Sequence, residues 1–338
     1  MSYRLLLFTA FASLSVSFGQ EPAAQPPPPR QPPRFQKPPG VQIIPEVEIG
    51  RGGDRVLHVE IARPQVPPPT PMPAVLWVHG GGWSRGSYKG NQAMALAAKG
   101  YFTATIEYRL SGEATWPAQI EDCKLGVRWL RANAAKYNVD PDKIGCWGSS
   151  AGGHLVACMG VMDDPRFEGT GGYPGVSSRV QAVVDYFGPT DMTKGSEGIQ
   201  RAKEGVDAPG PLGLFGAHFA EKPELWKDGS PLVYVKAGDP PFLIAHGDQD
   251  LTVPIAHSEK LVAALKKAGV PVEFIVVKGA EHDFRPVEGV TAVEPDRPTL
   301  ETAVLAFFDQ HLKGITAPPS AAAPATPPPA QHETPKPE

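Results

Sequence analysis

The chain has 338 residues, 41% of them hydrophobic, and carries a formal net charge of −4. That length allows one large domain or two small ones. The slight negative charge and the lack of a basic stripe exclude a nucleic-acid binder.

Met1 to Gly19 pairs the basic Arg4 with an apolar run from Leu5 to Val16 and ends in small residues. This pattern predicts a secretory signal peptide cleaved after Gly19, hence a secreted or periplasmic protein. The run is short for a bilayer span, so no integral membrane span is expected in the mature chain. Residues 20–40 form a Pro-rich linker and residues 316–338 a Pro/Ala-rich tail, both read as extended and without a core. Residues 41–315 suit a single α/β domain.

Val41 to Ile49 and Arg55 to Ala62 alternate apolar and polar residues, which predicts two antiparallel strands around a glycine-rich turn. Ala74 to Val78 is a continuous apolar run, suited to a strand covered on both faces. It ends in His79-Gly80-Gly81-Gly82-Trp83. Gln92 to Lys99 reads as a helix stopped by Gly100, and Tyr101 to Glu107 as the next buried strand. A long helix is expected from Pro117 to about Tyr137, then a turn at Asp140-Pro141-Asp142.

Ile144 to Trp147 enters Gly148-Ser149-Ser150-Ala151-Gly152, and a helix-compatible stretch leaves it. This is the G-x-S-x-G pattern between a strand and a helix, with Ser150 at its centre. Further buried strands are expected at Val180 to Phe187, Phe242 to Ala245 and Val272 to Val277, with helices at Pro254 to Ala268 and Thr299 to Lys313. Gly188 to Lys236 is long, weakly patterned and rich in Gly and Pro, the character of a lid or binding insertion. Strands alternating with helices predict a mainly parallel central sheet flanked by helices. Functional loops in such sheets lie at the carboxyl ends of the strands. His79 to Trp83, Ser150, Asp250 and His282 each follow a predicted strand.

A serine hydroxyl needs a base within hydrogen-bond reach, and the base needs an orienter. His282 is the candidate base. His79 belongs to a backbone-donor loop, His154 reads as a packing residue, and His246 precedes the proposed acid. His58, His218, His257, His311 and His332 lack suitable context. Asp250 is preferred over Asp248 as orienter, because Asp248 is better placed to stabilise the turn; Asp283 adjoins His282 too closely. The order Ser150, Asp250, His282 is that of α/β-hydrolases. Backbone N–H groups of Gly81, Gly82 and Ala151 are the candidate oxyanion hole. The chemistry calls for no metal or organic cofactor. Cys123, Cys146 and Cys158 lie in apolar surroundings and read as buried thiols, with a bridge between two of them left open.

The His79-Gly-Gly-Gly-Trp83 loop, the Gly148 to His154 elbow, the Gly247-Asp-Gln-Asp250-Leu-Thr-Val-Pro254 segment and His282 together resemble the α/β-hydrolase superfamily. The likeness is to its hormone-sensitive-lipase-like carboxylesterase branch, and within it to secreted bacterial esterases of the feruloyl and acetyl-xylan esterase kind. Glu107-Tyr-Arg-Leu110 and Trp116 to Asp122 resemble segments those enzymes carry between loop and elbow. The resemblance implies a serine carboxylesterase acting on small acyl esters, with acetyl or feruloyl esters of polysaccharides as candidate substrates. Gly188 to Lys236 departs from the compact members in length and composition. The competing readings are a prolyl-oligopeptidase-like serine peptidase or an amidase, and a non-catalytic binding protein of the same fold. Acyl length, alcohol partner and oligomeric state stay open.

Overall fold

Eight strands form one sheet in the order β1-β2-β4-β3-β5-β6-β7-β8. They are β1 (Val41–Gly52), β2 (Arg55–Pro64), β3 (Met72–Val78), β4 (Phe102–Ile106), β5 (Val139–Ser149), β6 (Ala182–Tyr186), β7 (Phe242–Gly247) and β8 (Val272–Val277). The computed structural model describes residues 37–195 and 210–315. The signal-peptide and tail readings, and most of the linker, fall outside the described residues. β1 pairs antiparallel with β2, and β2 antiparallel with β4; all later pairings are parallel. The mainly parallel α/β architecture expected from the apolar runs is the one observed.

The continuous apolar strands are buried on both faces. Ala74, Leu76 and Val78 of β3 join one hydrophobic cluster, while Val75 and Trp77 join the other. β7 divides the same way, with Phe242 and Ile244 on one side and Leu243 and Ala245 on the other. Successive side chains of a strand point to opposite faces, so a strand covered on both sides has no place for a polar alternate. Helices α2 (Ala118–Ala132), α4 (Ala151–Val161) and α7 (Ala256–Lys267) contribute to the first cluster. The short α1 (Met94–Ala97) and the C-terminal α8 (Arg297–Phe308) lie against the second. No helix among the described residues is long and apolar enough to cross a membrane.

The expected Gln92 to Lys99 helix is the shorter α1, and the expected Thr299 to Lys313 helix is α-helical only to Phe308, with Asp309–Lys313 in π-helical form; two further elements differ from the sequence expectation. The long helix stops at Ala132 and resumes as a single turn, α3 (Ala134–Tyr137). Asn133 interrupts it: its Nδ2 donates to the Trp129 carbonyl at 2.8 Å, competing with the backbone ladder. Asp140-Pro141-Asp142, expected as a turn, lie in an excursion within β5, whose register against β3 jumps between Met72↔Val139 and Ala74↔Ile144.

Within the Gly188–Lys236 stretch, residues 196–209 lie outside the described set. The remainder carries α5 (Gly210–Phe215) and α6 (Pro223–Asp228) and is packed rather than loose. Leu214, Phe215 and Trp226 are buried, and Leu214 accepts the Trp116 N–H at 2.8 Å. All three cysteines are buried and free.

Asp185, in the middle of the sheet on β6, has no exposure. Its Oδ1 accepts the Gly188 N–H at 2.9 Å, and its Oδ2 has no partner among the described residues. Burial pushes its carboxyl up to about 6, against the opposing pull of the Gly188 N–H and His246. Between the unfolded value near 4 and about 6, the folded state binds more protons than the unfolded state. Stability from this group therefore falls as pH rises through that window, by roughly 3 kcal/mol in all. Asp185→Asn should remove this slope. Urea midpoints at pH 4.5 and pH 8 check it: the variant should gain on the wild type at the higher pH, and an unchanged difference would contradict the assignment.

Candidate active site

Ser150 stands between the end of β5 and the start of α4 with φ 54° and ψ −121°. A non-glycine residue in that region is strained and persists only when its surroundings over-determine it. Here they do. Its N–H donates to Tyr186 O at 2.8 Å, and its carbonyl accepts the His154 N–H at 3.0 Å. A Cβ on Gly148 would lie 2.4 Å from the Gly152 carbonyl oxygen, and one on Gly152 would lie 2.1 Å from Val78 O. Backbone rather than a movable side chain blocks both positions, so the flanking glycines are required by close approach.

His282 follows β8 through the turn at Gly279. Its Nε2 lies 3.0 Å from Ser150 Oγ, and its Nδ1 lies 2.7 Å from Asp250 Oδ2. Asp250, after β7, is nearly fully buried. Its Oδ1 accepts the N–H groups of Thr252 and Val253 at 2.8 and 2.9 Å. Burial alone would raise this carboxyl, but the hydrogen bonds from His246 and His282 outweigh it and hold it well below the usual carboxylate range. An ionised carboxylate only accepts, so His282 carries its proton on Nδ1 and offers the Nε2 lone pair to the serine. Asp248 takes the other position: its Oδ1 accepts the Gly279 N–H at 2.8 Å and braces the turn that presents His282.

The loop after β3 brings its glycines against the elbow. A Cβ on Gly80 would stand 3.3 Å from Ser150 Cβ. Gly81 and Gly82 have φ of 116° and 59°. Hydrogen bonds from Ser84 N and Arg85 N to Gly81 O close the loop at 3.2 and 3.1 Å. His79 Nδ1 donates to Gly80 O at 2.8 Å, and Tyr108 Oη donates to His79 O at 3.0 Å. Burial holds the His79 imidazole below its ordinary value. Among the described residues, the N–H groups of Gly81, Gly82 and Ala151 donate to no protein acceptor.

Sequence reasoning missed two supports. Phe187 has φ 44° and places its ring 4.7 Å from the His282 ring, backed by Phe284 at 4.8 Å. It follows directly on β6, so the strand-end rule that singled out the other residues applies to it too. His246 is fully buried, with Nδ1 2.7 Å from Ser258 Oγ and Nε2 3.3 Å from Asp250 Oδ2. No local motif marks that contact. In chemical terms the assembly brings together a hydroxyl, an imidazole and an ionised carboxylate in one hydrogen-bonded line.

Residues 59–265 match the BD-FAE family. Esterase LipQ of Mycobacterium tuberculosis is 32% identical over 245 residues, covering 71% of this chain and 56% of that protein. The chain thus spans little more than half the length of that relative. Among solved structures, a truncated carbohydrate esterase from gut microbiota is similar with a TM-score of 0.69 and 32% identity, over 80% of this chain and 96% of that one. Esterase Est2 of Thermogutta terrifontis, in a butyrate-bound form, gives a TM-score of 0.62 and 26% identity over 82% of this chain and 94% of that one.

Proposed function

This chain belongs to the BD-FAE family of α/β-hydrolases, and from that premise we propose that it is an exported serine carboxylesterase removing small acyl groups from carbohydrate esters. The observation that carries the reading is the continuous hydrogen-bond relay Ser150–His282–Asp250, at 3.0 and 2.7 Å.

In this mechanism Ser150 Oγ attacks the ester carbonyl while His282 Nε2 takes its proton. Asp250 keeps the imidazole in the required tautomer and stabilises its charged form. The carbonyl electron pair moves onto oxygen, where the Gly81, Gly82 and Ala151 N–H groups receive it. One such donor is typically worth about 3 kcal/mol in the transition state. His282 returns the proton to the departing alcohol. Water, activated by the same imidazole, then releases the acid from the acyl-serine.

Likeness to a carbohydrate esterase supports the sugar-linked substrate, and likeness to a butyrate-bound esterase supports a short acyl group. The basic, apolar and small-residue pattern of Met1 to Gly19 supports export. An intact mass for secreted protein beginning at Gln20 checks that part. A panel of acetyl, butyryl, feruloyl and xylan-linked esters tests the substrate class. Turnover of acetyl or feruloyl xylan above the simple p-nitrophenyl ester is expected. Turnover of aminoacyl anilides in preference to every ester would replace the reading with a peptidase or amidase.

A further inference from the structure

His154 lies on α4 one turn beyond Ser150 and has no solvent exposure. Its Nε2 is 2.7 Å from the Gly229 carbonyl oxygen, and its Nδ1 is 3.2 Å from Trp83 Nε1. A carbonyl only accepts and an indole N–H only donates, so the tautomer is fixed: Nε2 carries the proton and Nδ1 the lone pair. Burial lowers this imidazole to about 4, so it stays neutral at ordinary working pH. The ring also meets Trp83 edge-on at 5.3 Å and Trp116 at 5.6 Å.

The two partners belong to segments with different tasks. Trp83 follows Gly82 directly, has φ 59°, and ends the loop that presents the oxyanion donors. Gly229 caps α6 within the Gly188–Lys236 stretch, packed so closely that a Cβ there would lie 2.4 Å from the Phe215 ring. Its neighbour Ser230 accepts the Met192 N–H at 2.7 Å, which ties the two described ends of that stretch together. One imidazole therefore spans the donor loop, the nucleophile helix and the insertion, through bonds running in a single direction from indole to imidazole to carbonyl. Such a buried chain is stronger complete than in parts.

We propose that His154 is a positioning residue that locks the insertion to the oxyanion-hole loop, so that the Gly81 and Gly82 N–H groups are correctly placed only when the insertion is docked at Gly229. This rests on the esterase reading above. Uncoupling the relay should impair the step in which charge develops on the substrate oxygen and leave ground-state binding nearly unchanged.

Trp83→Phe keeps an aromatic ring and deletes the N–H; His154→Gln cannot reach both partners at once. Each should lower kcat on a short p-nitrophenyl ester by at least about tenfold with KM held within about twofold. Affinity for a trifluoromethyl ketone should fall in parallel. Ser150 adds to the carbonyl carbon of that inhibitor, its proton passes to His282, and the electron pair goes to the ketone oxygen. The double variant should be little worse than the poorer single variant. Amide hydrogen exchange across residues 223–234 should quicken in Trp83→Phe, a readout that loss of a loop contact alone would not move. Multiplicative losses in the double variant, an unchanged kcat in the correctly folded Trp83→Phe protein, or unaltered exchange at 223–234 would each overturn the proposal while wild-type activity stands. An inactive wild type would remove the esterase reading and this inference with it.

Discussion

Ser150→Ala should reduce kcat/KM for short acyl esters by about five orders of magnitude, because it deletes the atom to which the proposed mechanism assigns the acyl-enzyme bond. The substitution removes one oxygen and leaves the backbone as it is. Alanine is no less able than serine to hold φ 54°, since the Ser150 N–H to Tyr186 O and His154 N–H to Ser150 O bonds impose it. The thermal midpoint should therefore stay close to that of the wild type. His282 Nε2 loses its 3.0 Å partner but remains near enough to solvent to bond water. A fluorophosphonate probe should label the wild type and not the variant. Equal hydrolysis by both proteins would assign the chemistry to another group, and failure to label the wild type would favour a binding protein on the same fold.

Asp250→Asn should cost about 10⁴ in kcat/KM with substrate binding largely kept. An amide facing His282 Nδ1 can donate, and it then favours the tautomer with the proton on Nε2. That tautomer cannot accept the proton of Ser150. The site makes the choice of oxygen informative. Oδ1 is already committed to the Thr252 and Val253 N–H groups, so the asparagine carbonyl is drawn there and its amide is left facing both imidazoles. His246 Nε2, which also bonds Val253 O at 2.8 Å, would then meet a donor instead of an acceptor. Asp248→Asn is the matched control. It retains a carbonyl for the Gly279 N–H and should keep activity within about tenfold. A crippled Asp248→Asn beside a healthy Asp250→Asn would reverse the assignment of orienter and turn support.

Much of the architecture was legible in local patterns. Ala74 to Val78 and Phe242 to Ala245 read as doubly covered strands because nothing polar interrupts them, and their side chains divide between the two hydrophobic clusters. Helix limits were less legible. Asn133 breaks the Pro117 helix by bonding Trp129 O, and residue propensity alone does not tell a surface asparagine from one that turns back on its own helix. The role of Gly188–Lys236 was readable only as an anomaly of composition. Its buried Phe215 and Trp226 look like any apolar residues in a glycine-rich stretch until Trp116 and His154 are brought against it.

By itself the sequence determined the alternation of strand and helix, the strand-end positions of Ser150, Asp250 and His282, and the glycines around the elbow and the donor loop. These are short-range properties, set by side-chain period and by what a tight turn excludes. The sequence favoured Asp250 over Asp248 as the partner of His282, and the tertiary structure supplied the contacts, with Asp250 against His282 and Asp248 on the Gly279 turn. The tertiary structure alone set the Phe187 ring against the His282 imidazole and joined Trp83 to Gly229 through His154. Each of those contacts is made across strands or segments far apart in the chain, where the packing of the sheet, and no neighbouring residue, sets the distance.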